Sequence, residues 1–125
     1  MTATSEIGII IVDHGSRRTE SNDTLLAATR RFSKLTDWSI VEPAHMELAQ
    51  PDLSSAYESC VRQGAKHVIV FPYFLSPGRH WEQDIPALVA EAAQGHSHTT
   101  WQVTAPFGVH DSLLDVISQR IREAT

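Results

Sequence analysis

Two histidines of this chain follow apolar, strand-like segments, and each has arginine close by. His14 comes after the run IGIIIV at positions 7–12 and is followed by Gly15 and two arginines. His80 comes after the apolar run at positions 67–75 and directly follows Arg79. If the two strands lie parallel in one sheet, both imidazoles emerge at its carboxyl edge. Imidazoles and guanidinium groups together predict a site for a metal ion and an anionic ligand.

A carboxylate, Glu47, belongs to the same predicted edge, because it lies near the end of the second predicted strand. It is a candidate third metal ligand or proton acceptor. Two neutral imidazoles and one carboxylate leave coordination positions of the metal open, and they suit a labile divalent ion such as iron or cobalt. The softness of these ligands does not distinguish between the two metals. The alternative is that Glu47 is a solvated loop residue and that His14 and His80 are hydrogen-bonded at strand ends.

Arginine is the second chemical feature of this edge. Arg17, Arg18 and Arg79 flank the two histidines. Guanidinium groups bind carboxylates or phosphates through paired hydrogen bonds, so these side chains predict a locally basic pocket on an acidic protein. An ordinary solvated position is an equally good interpretation of Arg18.

The other five histidines have weaker claims to a role. His67, His96 and His98 are expected at the amino end of the sheet, away from the predicted site. His110 is expected at the correct edge, and strand alternation leaves open whether His45 faces Glu47. The sequence assigns no function to His45, His96, His98 or His110.

Composition bounds the classes of protein that need to be considered. The 125 residues predict one domain, 1–125, and the hydrophobic and charged contents of 42% and 20% are typical of a globular protein. The net charge of −5 argues against nucleic acid as the main partner. No apolar run is long enough for a membrane span, and the first residues do not resemble a secretory signal. The single cysteine, Cys60, falls at a core position of a predicted helix, and a reducing, cytoplasmic setting is expected.

The hydrophobic pattern predicts four strand–helix units. Alternating strands and helices indicate an α/β fold with a four-stranded parallel sheet and helices on both faces. Ser21 is the predicted cap of the first helix, and Pro51 is expected to open the second. The predicted strands cover about 7–13, 38–46, 67–74 and 100–105, and the predicted helices about 22–35, 51–63, 84–94 and 111–121.

Three stretches of the chain form recognisable motifs: VDHGSRR at 12–18, VEPAHMELA at 41–49 and FLSPGRHWEQDIP at 74–86. Together they resemble a known family, the class II, ATP-independent tetrapyrrole chelatases. The similarity is to the small sirohydrochlorin chelatases and extends over essentially the whole chain. Ser-Pro-Gly-Arg-His followed by Asp-Ile-Pro is the most specific part. The second and third stretches look most like the sirohydrochlorin ferrochelatase of siroheme synthesis, with the cobalt chelatases of the cobalamin pathway as close relatives.

The resemblance implies roles for individual residues. The two metal-handling histidines of the family fall on His14 and His80, and its second-strand glutamate falls on Glu47. These three are expected to hold the ion and to accept the pyrrole protons. Apolar side chains at the edge, Phe74, Trp81 and Phe107, are candidates to cover the macrocycle. The residues expected to bind the anionic substrate are Ser16, Arg17, Ser76, Gly78 and Arg79.

The resemblance also implies an activity and an assembly. The expected enzyme is a lyase that inserts Fe²⁺ into sirohydrochlorin, with Co²⁺ or Ni²⁺ as alternative metals. The metal is a substrate, and no permanently bound cofactor is expected. An iron–sulfur cluster is not expected, because the chain lacks the C-terminal cysteine cluster of the plant enzymes. In related chelatases the site lies between two similar domains, so a chain of this length implies a homodimer facing itself across the tetrapyrrole cleft.

Two rival functions remain open from the residues. Phosphoryl transfer through a phosphohistidine is suggested by a strand followed by His-Gly, but Asp13 precedes His14 where such enzymes have arginine, and a carboxylate would repel phosphate. A non-enzymatic carrier of metal or tetrapyrrole is suggested by seven histidines in a small chain. A carrier would bind stoichiometrically, without turnover.

Overall fold

The fold is built on one parallel β-sheet. The structure is a computed structural model that describes residues 3–78 and 80–125, and of residues 80 and 81 only the backbone. The strands are β1 (Ile7–Asp13), β2 (Ile40–His45), β3 (His67–Pro72) and β4 (Thr100–Val103), in the spatial order β2-β1-β3-β4. All neighbouring pairs are parallel. Their carboxyl ends therefore form a single edge, as the sequence predicts.

Helices lie on both faces of this sheet. They are α1 (Thr19–Leu35), α2 (Leu53–Arg62), α3 (Ile85–Ala93) and α4 (Asp111–Ala124). Helices α2 and α3 pack together on one face, and α1 packs on the other, against β1 and β2. The α/β fold class is thus confirmed.

The apolar run of β1 is buried because both faces of the sheet are covered. Ile10 and Val12 belong to the larger core with α2 and α3, whereas Ile9 and Ile11 face α1 and contribute to a smaller core around Leu25. Residues that alternate along a strand point to opposite faces, so an unbroken Ile/Val run is what a central strand needs. Cys60 is fully buried in the larger core, as its helical spacing predicts.

Helix boundaries differ in places from the sequence prediction. Helix α1 begins at Thr19, before the predicted cap Ser21, because the side chain of Asn22 accepts a hydrogen bond from Ser16 N and donates one to Ser16 O, which holds the preceding loop against the first turn. In α2 the cap is Asp52, one residue after Pro51, and it accepts from Ser55 N at 2.8 Å.

Two further features of the structure differ from the sequence prediction. A π-helical turn spans His80–Asp84 and leads directly into α3, where the sequence predicts a loop. The helical spacing of Leu113, Leu114, Ile117 and Ile121 predicts an inner, apolar face for α4, but none of the residues of that helix, all of which the structure describes, is buried. Within the described ranges, no helix has the length and apolar content needed to cross a membrane.

Candidate metal site at the carboxyl edge of the sheet

The backbone pairing of β1 and β2 continues past the ends of both strands. Met46 N donates to Asp13 O at 2.9 Å, and Glu47 N donates to His14 O at 3.2 Å. These two hydrogen bonds carry the parallel register into the loops. They place residue 47 beside residue 14, which sequence separation alone does not indicate.

His14 and Glu47 meet at this edge. The distance between His14 Nε2 and Glu47 Oε1 is 3.4 Å, and the two side chains are 48% and 59% exposed. Two donors at this separation can bind one ion of zinc size, with bonds of about 2.1 Å and an angle close to the tetrahedral value. The pair is therefore open to a ligand from solution and has the spacing to bind one metal ion.

Gly15 permits this close approach. Its φ is +92°, a conformation that side-chain-bearing residues rarely adopt. A Cβ at this position would overlap the backbone carbonyl oxygen of Glu47 and come within 3.3 Å of the Cβ of His45. Glycine is thus required both by the turn and by the packing of the two loops.

Behind the exposed pair lies a buried one. His45 is fully buried, and its Nδ1 lies 2.6 Å from Oδ1 of Asp13, whose side chain is 20% exposed. An ionised carboxylate can only accept a hydrogen bond, so Nδ1–H of His45 is the donor. The sequence left the orientation of His45 open, and the structure shows that its buried ring binds Asp13 and joins β2 to β1.

A cleft opens beside the exposed pair, with a volume of about 340 Å³. Its walls combine the polar groups of His14, Glu47 and Asp84 with apolar side chains, so it presents both metal donors and a surface for an apolar ring. Asp84 was not a predicted site residue, because its position before an apolar helix indicates a helix start. The lining residues are His14, Met46, Glu47, Asp84, Ala87 and Leu88.

The predicted substrate-binding residues have different environments. Ser16 is half-buried, with its backbone held by Asn22, while Arg17, Ser76 and Gly78 are exposed. Arg79 and the side chain of His80 lie outside the described residues. The backbone of His80 begins the π-helical turn that ends at Asp84, on the wall of the cleft.

The aromatic residues expected to cover the macrocycle are only partly available. Phe107 packs edge-on against Phe71 and Tyr73, with ring centroids 5.0 Å apart in both pairs. Phe74 packs against the larger core. The side chain of Trp81 lies outside the described residues.

The remaining histidines are distributed as expected. His67 begins β3, and its ring contacts Thr100 and Gln102 at the amino end of the sheet. His96 and His98 follow α3 at that same end, and His110 caps α4 by accepting from Ser112 N. Among the residues the structure describes, no three histidine, cysteine or acidic side chains gather to form a metal site.

Comparison with known proteins identifies the family. The sequence profile of the CbiX family matches residues 8–124. The chain belongs to the CbiX family. It is 56% identical over 115 residues to the chloroplastic sirohydrochlorin ferrochelatase of Arabidopsis thaliana, a match that covers 92% of this chain and 51% of that protein. The resemblance to sirohydrochlorin chelatases is thereby confirmed.

Solved structures of the family share the fold. The sirohydrochlorin chelatase SirB from Bacillus subtilis subspecies spizizenii, in complex with cobalt, matches with a TM-score of 0.83 and 28% identity, over 94% of this chain and 50% of that one. A putative cobalamin biosynthesis CbiX protein from Marinobacter aquaeolei VT8 matches with a TM-score of 0.79 and 27% identity, over 94% and 96%. This CbiX chain thus spans about half the length of the Arabidopsis and Bacillus proteins.

Proposed function

We propose that this CbiX chain is a sirohydrochlorin ferrochelatase, a lyase that inserts Fe²⁺ into sirohydrochlorin without ATP. The observation that carries the proposal is the 3.4 Å approach of His14 Nε2 to Glu47 Oε1 at the mouth of a cleft. Support comes from the 56% identity to a protein named for this activity. The tetrapyrrole and the ion are both substrates, and we propose no permanently bound cofactor.

The reaction requires the metal ion to exchange its water ligands for ring nitrogens and the ring to exchange two protons for the metal ion. Fe²⁺ loses water ligands and bonds to the four ring nitrogens of the macrocycle, and the two of these nitrogens that carry hydrogen lose their protons to a base. An imidazole and a carboxylate suit both tasks, because each can bind the ion and each can act as a base. His14 and Glu47 are assigned these roles. His80 is the proposed third ligand, on the residue match alone.

The substrate carries many carboxylates, and guanidinium groups are suited to bind them. Arg17 is exposed and follows His14 by three residues, so it is a proposed partner for these carboxylates. Arg79, Ser16, Ser76 and Gly78 remain proposed substrate contacts. We propose further that residues 1–125 act as one chelatase domain in a homodimer. A cytoplasmic location stays a prediction, since the Arabidopsis relative is named a chloroplastic protein.

Cobalt insertion is the second candidate, because the matching SirB structure is described as a complex with cobalt. The test is anaerobic sirohydrochlorin mixed with Fe²⁺, Co²⁺ or Ni²⁺, with and without the protein, followed by absorbance. Catalysed turnover with Fe²⁺ supports the proposal. A clear preference for Co²⁺ replaces it with the cobaltochelatase, and stoichiometric binding without turnover replaces it with a carrier.

The candidate residues are tested in the same assay. His14→Ala and Glu47→Gln are expected to abolish metal insertion, while the urea unfolding transition stays close to that of the parent, because both side chains are exposed. His98→Ala, an exposed histidine at the opposite end of the sheet, is the matched control and should retain full activity. Full activity in His14→Ala would overturn the assignment.

A further inference from the structure

Metal insertion needs a proton acceptor besides the two metal donors. Two ring nitrogens must lose their protons, and His14 and Glu47 are the residues assigned to the ion. The lone pair with which Nε2 of His14 binds the ion is the one that would take a proton. A bound cation also weakens a carboxylate as a base, because the positive charge favours its ionised form. The first proton therefore requires another base at the cleft.

Asp84 is the third titratable residue of the cleft. Of the described residues that line the cleft, only His14, Glu47 and Asp84 have titratable side chains. The other lining side chains end in methyl or thioether groups and cannot take up a proton. Asp84 is thus the base on these walls that is not already assigned to the metal.

Local structure explains why this aspartate lies on the wall of the cleft. Asp84 ends the π-helical turn with helical φ and ψ of −73° and −43°, and its side chain does not cap α3. The turn runs directly into α3, so backbone carbonyl groups precede the helix where a side-chain cap would otherwise be needed. Such turns are rare and are frequently found at functional sites.

The cleft-lining face of α3 also offers an apolar surface beside the carboxylate. Ala87 and Leu88 follow Asp84 by three and four residues, so the three side chains share one face of the helix. A macrocycle that packs on this surface displaces water from its inner nitrogens. A positioned carboxylate is then a better proton acceptor than bulk water.

We propose that Asp84 is a catalytic base that takes the first proton from the macrocycle, a role that rests on the proposed function. One ring N–H bond breaks, and its proton bonds to a carboxylate oxygen of Asp84. The electron pair of that bond remains on nitrogen and forms a bond to the iron, which stays Fe²⁺. Asp84 is exposed and passes the proton to solvent. The second proton goes to His14 or Glu47, which can accept it once the ion has moved to the ring.

Asp84→Asn tests this role, because it keeps the size of the side chain and removes its basicity. In the full chain, kcat for insertion of Fe²⁺ into sirohydrochlorin should fall by about 100-fold or more. The KM for Fe²⁺ should stay close to that of the parent, since both metal donors are unchanged. Glu82→Gln is the matched control and should keep the parent kcat. Glu82 is an exposed carboxylate of the same π-helical turn, and it is not among the described residues that line the cleft.

Formate separates a base from a residue that is merely structural. Asp84→Ala leaves space for a small carboxylate, so added formate should restore part of its kcat, whereas chloride at equal ionic strength should not. Asp84→Glu keeps the carboxylate and should retain more activity than Asp84→Asn. Urea unfolding of each variant checks that the fold is intact.

The possible results separate this role from the proposed function. Unchanged kcat in Asp84→Asn would overturn the role. A raised KM for Fe²⁺ with unchanged kcat would overturn it too, because Asp84 would then attract the ion and not accept a proton. An active parent with an unaffected Asp84→Asn counts against Asp84 alone, whereas a parent without turnover overturns the proposed function and this role with it.

Discussion

Asp13 and His45 form a hydrogen bond, 2.6 Å between Oδ1 and Nδ1, at the same two strand ends that carry the exposed pair of His14 and Glu47. The two pairs alternate along the same two strand ends: Asp13 precedes His14, and His45 lies two residues before Glu47. One pair is buried and joins the strands, and the other is exposed and faces the cleft. The hydrogen bond between Asp13 and His45 therefore holds the ends of β1 and β2 together next to the residues that carry the two candidate metal donors.

Removing the acceptor of this buried hydrogen bond should cost stability. Asp13→Ala leaves the Nδ1–H of His45 buried without a partner, and we expect a loss of about 1–3 kcal/mol in the free energy of unfolding, measured by urea titration at pH 7. Asp13→Asn retains an oxygen acceptor, so its free energy of unfolding should fall clearly less than that of Asp13→Ala. Equal losses in the two variants would contradict a role through this hydrogen bond.

Gly15→Ala should separate His14 from Glu47. The added Cβ overlaps the carbonyl oxygen of Glu47, so the loop after β2 must shift. A displacement on the order of 1 Å at a reacting centre can lower a rate by about 100-fold. We expect a drop of that order in metal insertion, measured as initial rate with sirohydrochlorin and Fe²⁺. Gly95→Ala, where nothing lies within 4 Å of the new Cβ, is the control. Unchanged activity in Gly15→Ala would show that the loop tolerates the shift.

The sequence predicts the sheet well because its signals are local. The Ile/Val run predicts β1, and the polar residues that follow each strand predict a polar carboxyl edge of the sheet. Parallel topology then places His14 and Glu47 at that edge. The face that His45 adopts could not be predicted, because alternation fixes only relative directions along a strand. Asp84 was missed for a related reason, since a helix-start residue and a cleft-wall residue have the same local pattern.

Helix α4 shows a different limit of sequence reasoning. The periodicity of Leu114, Ile117 and Ile121 predicts an apolar face, and that face exists. Apolar periodicity predicts that one face of the helix packs against another surface, but it does not indicate which surface that is. The position of α4 also depends on non-local interactions of the segment before it, where Phe107 N donates to Phe74 O and Gly108 N donates to Leu75 O.

Asp52 should make stability depend on pH in acid. The hydrogen bond from the backbone N–H of Ser55 lowers the pKa of this helix cap below its ordinary value. The contribution of ionised Asp52 to the free energy of unfolding is therefore complete above the unfolded pKa, about 3.9. It is lost as the pH falls through the lower pKa of the folded state. Asp52→Ala should cost about 1 kcal/mol at pH 7. In urea titrations the difference from the parent should shrink towards pH 2, and a difference that grows in acid would contradict the assignment.

Cys60 should be inert in the folded protein. Burial raises the pKa of its thiol to about 12, with a further contribution from the charge of Glu42. At pH 8 only about one thiol in 10⁴ is then ionised, and the thiolate is the reactive form. A thiol-specific disulfide reagent should label Cys60 only after urea unfolding, whereas Val109→Cys, at a 93% exposed position, should add one thiol that reacts at once. Prompt labelling of the parent without urea would mean that the larger core, in which α2 packs on β1, opens readily.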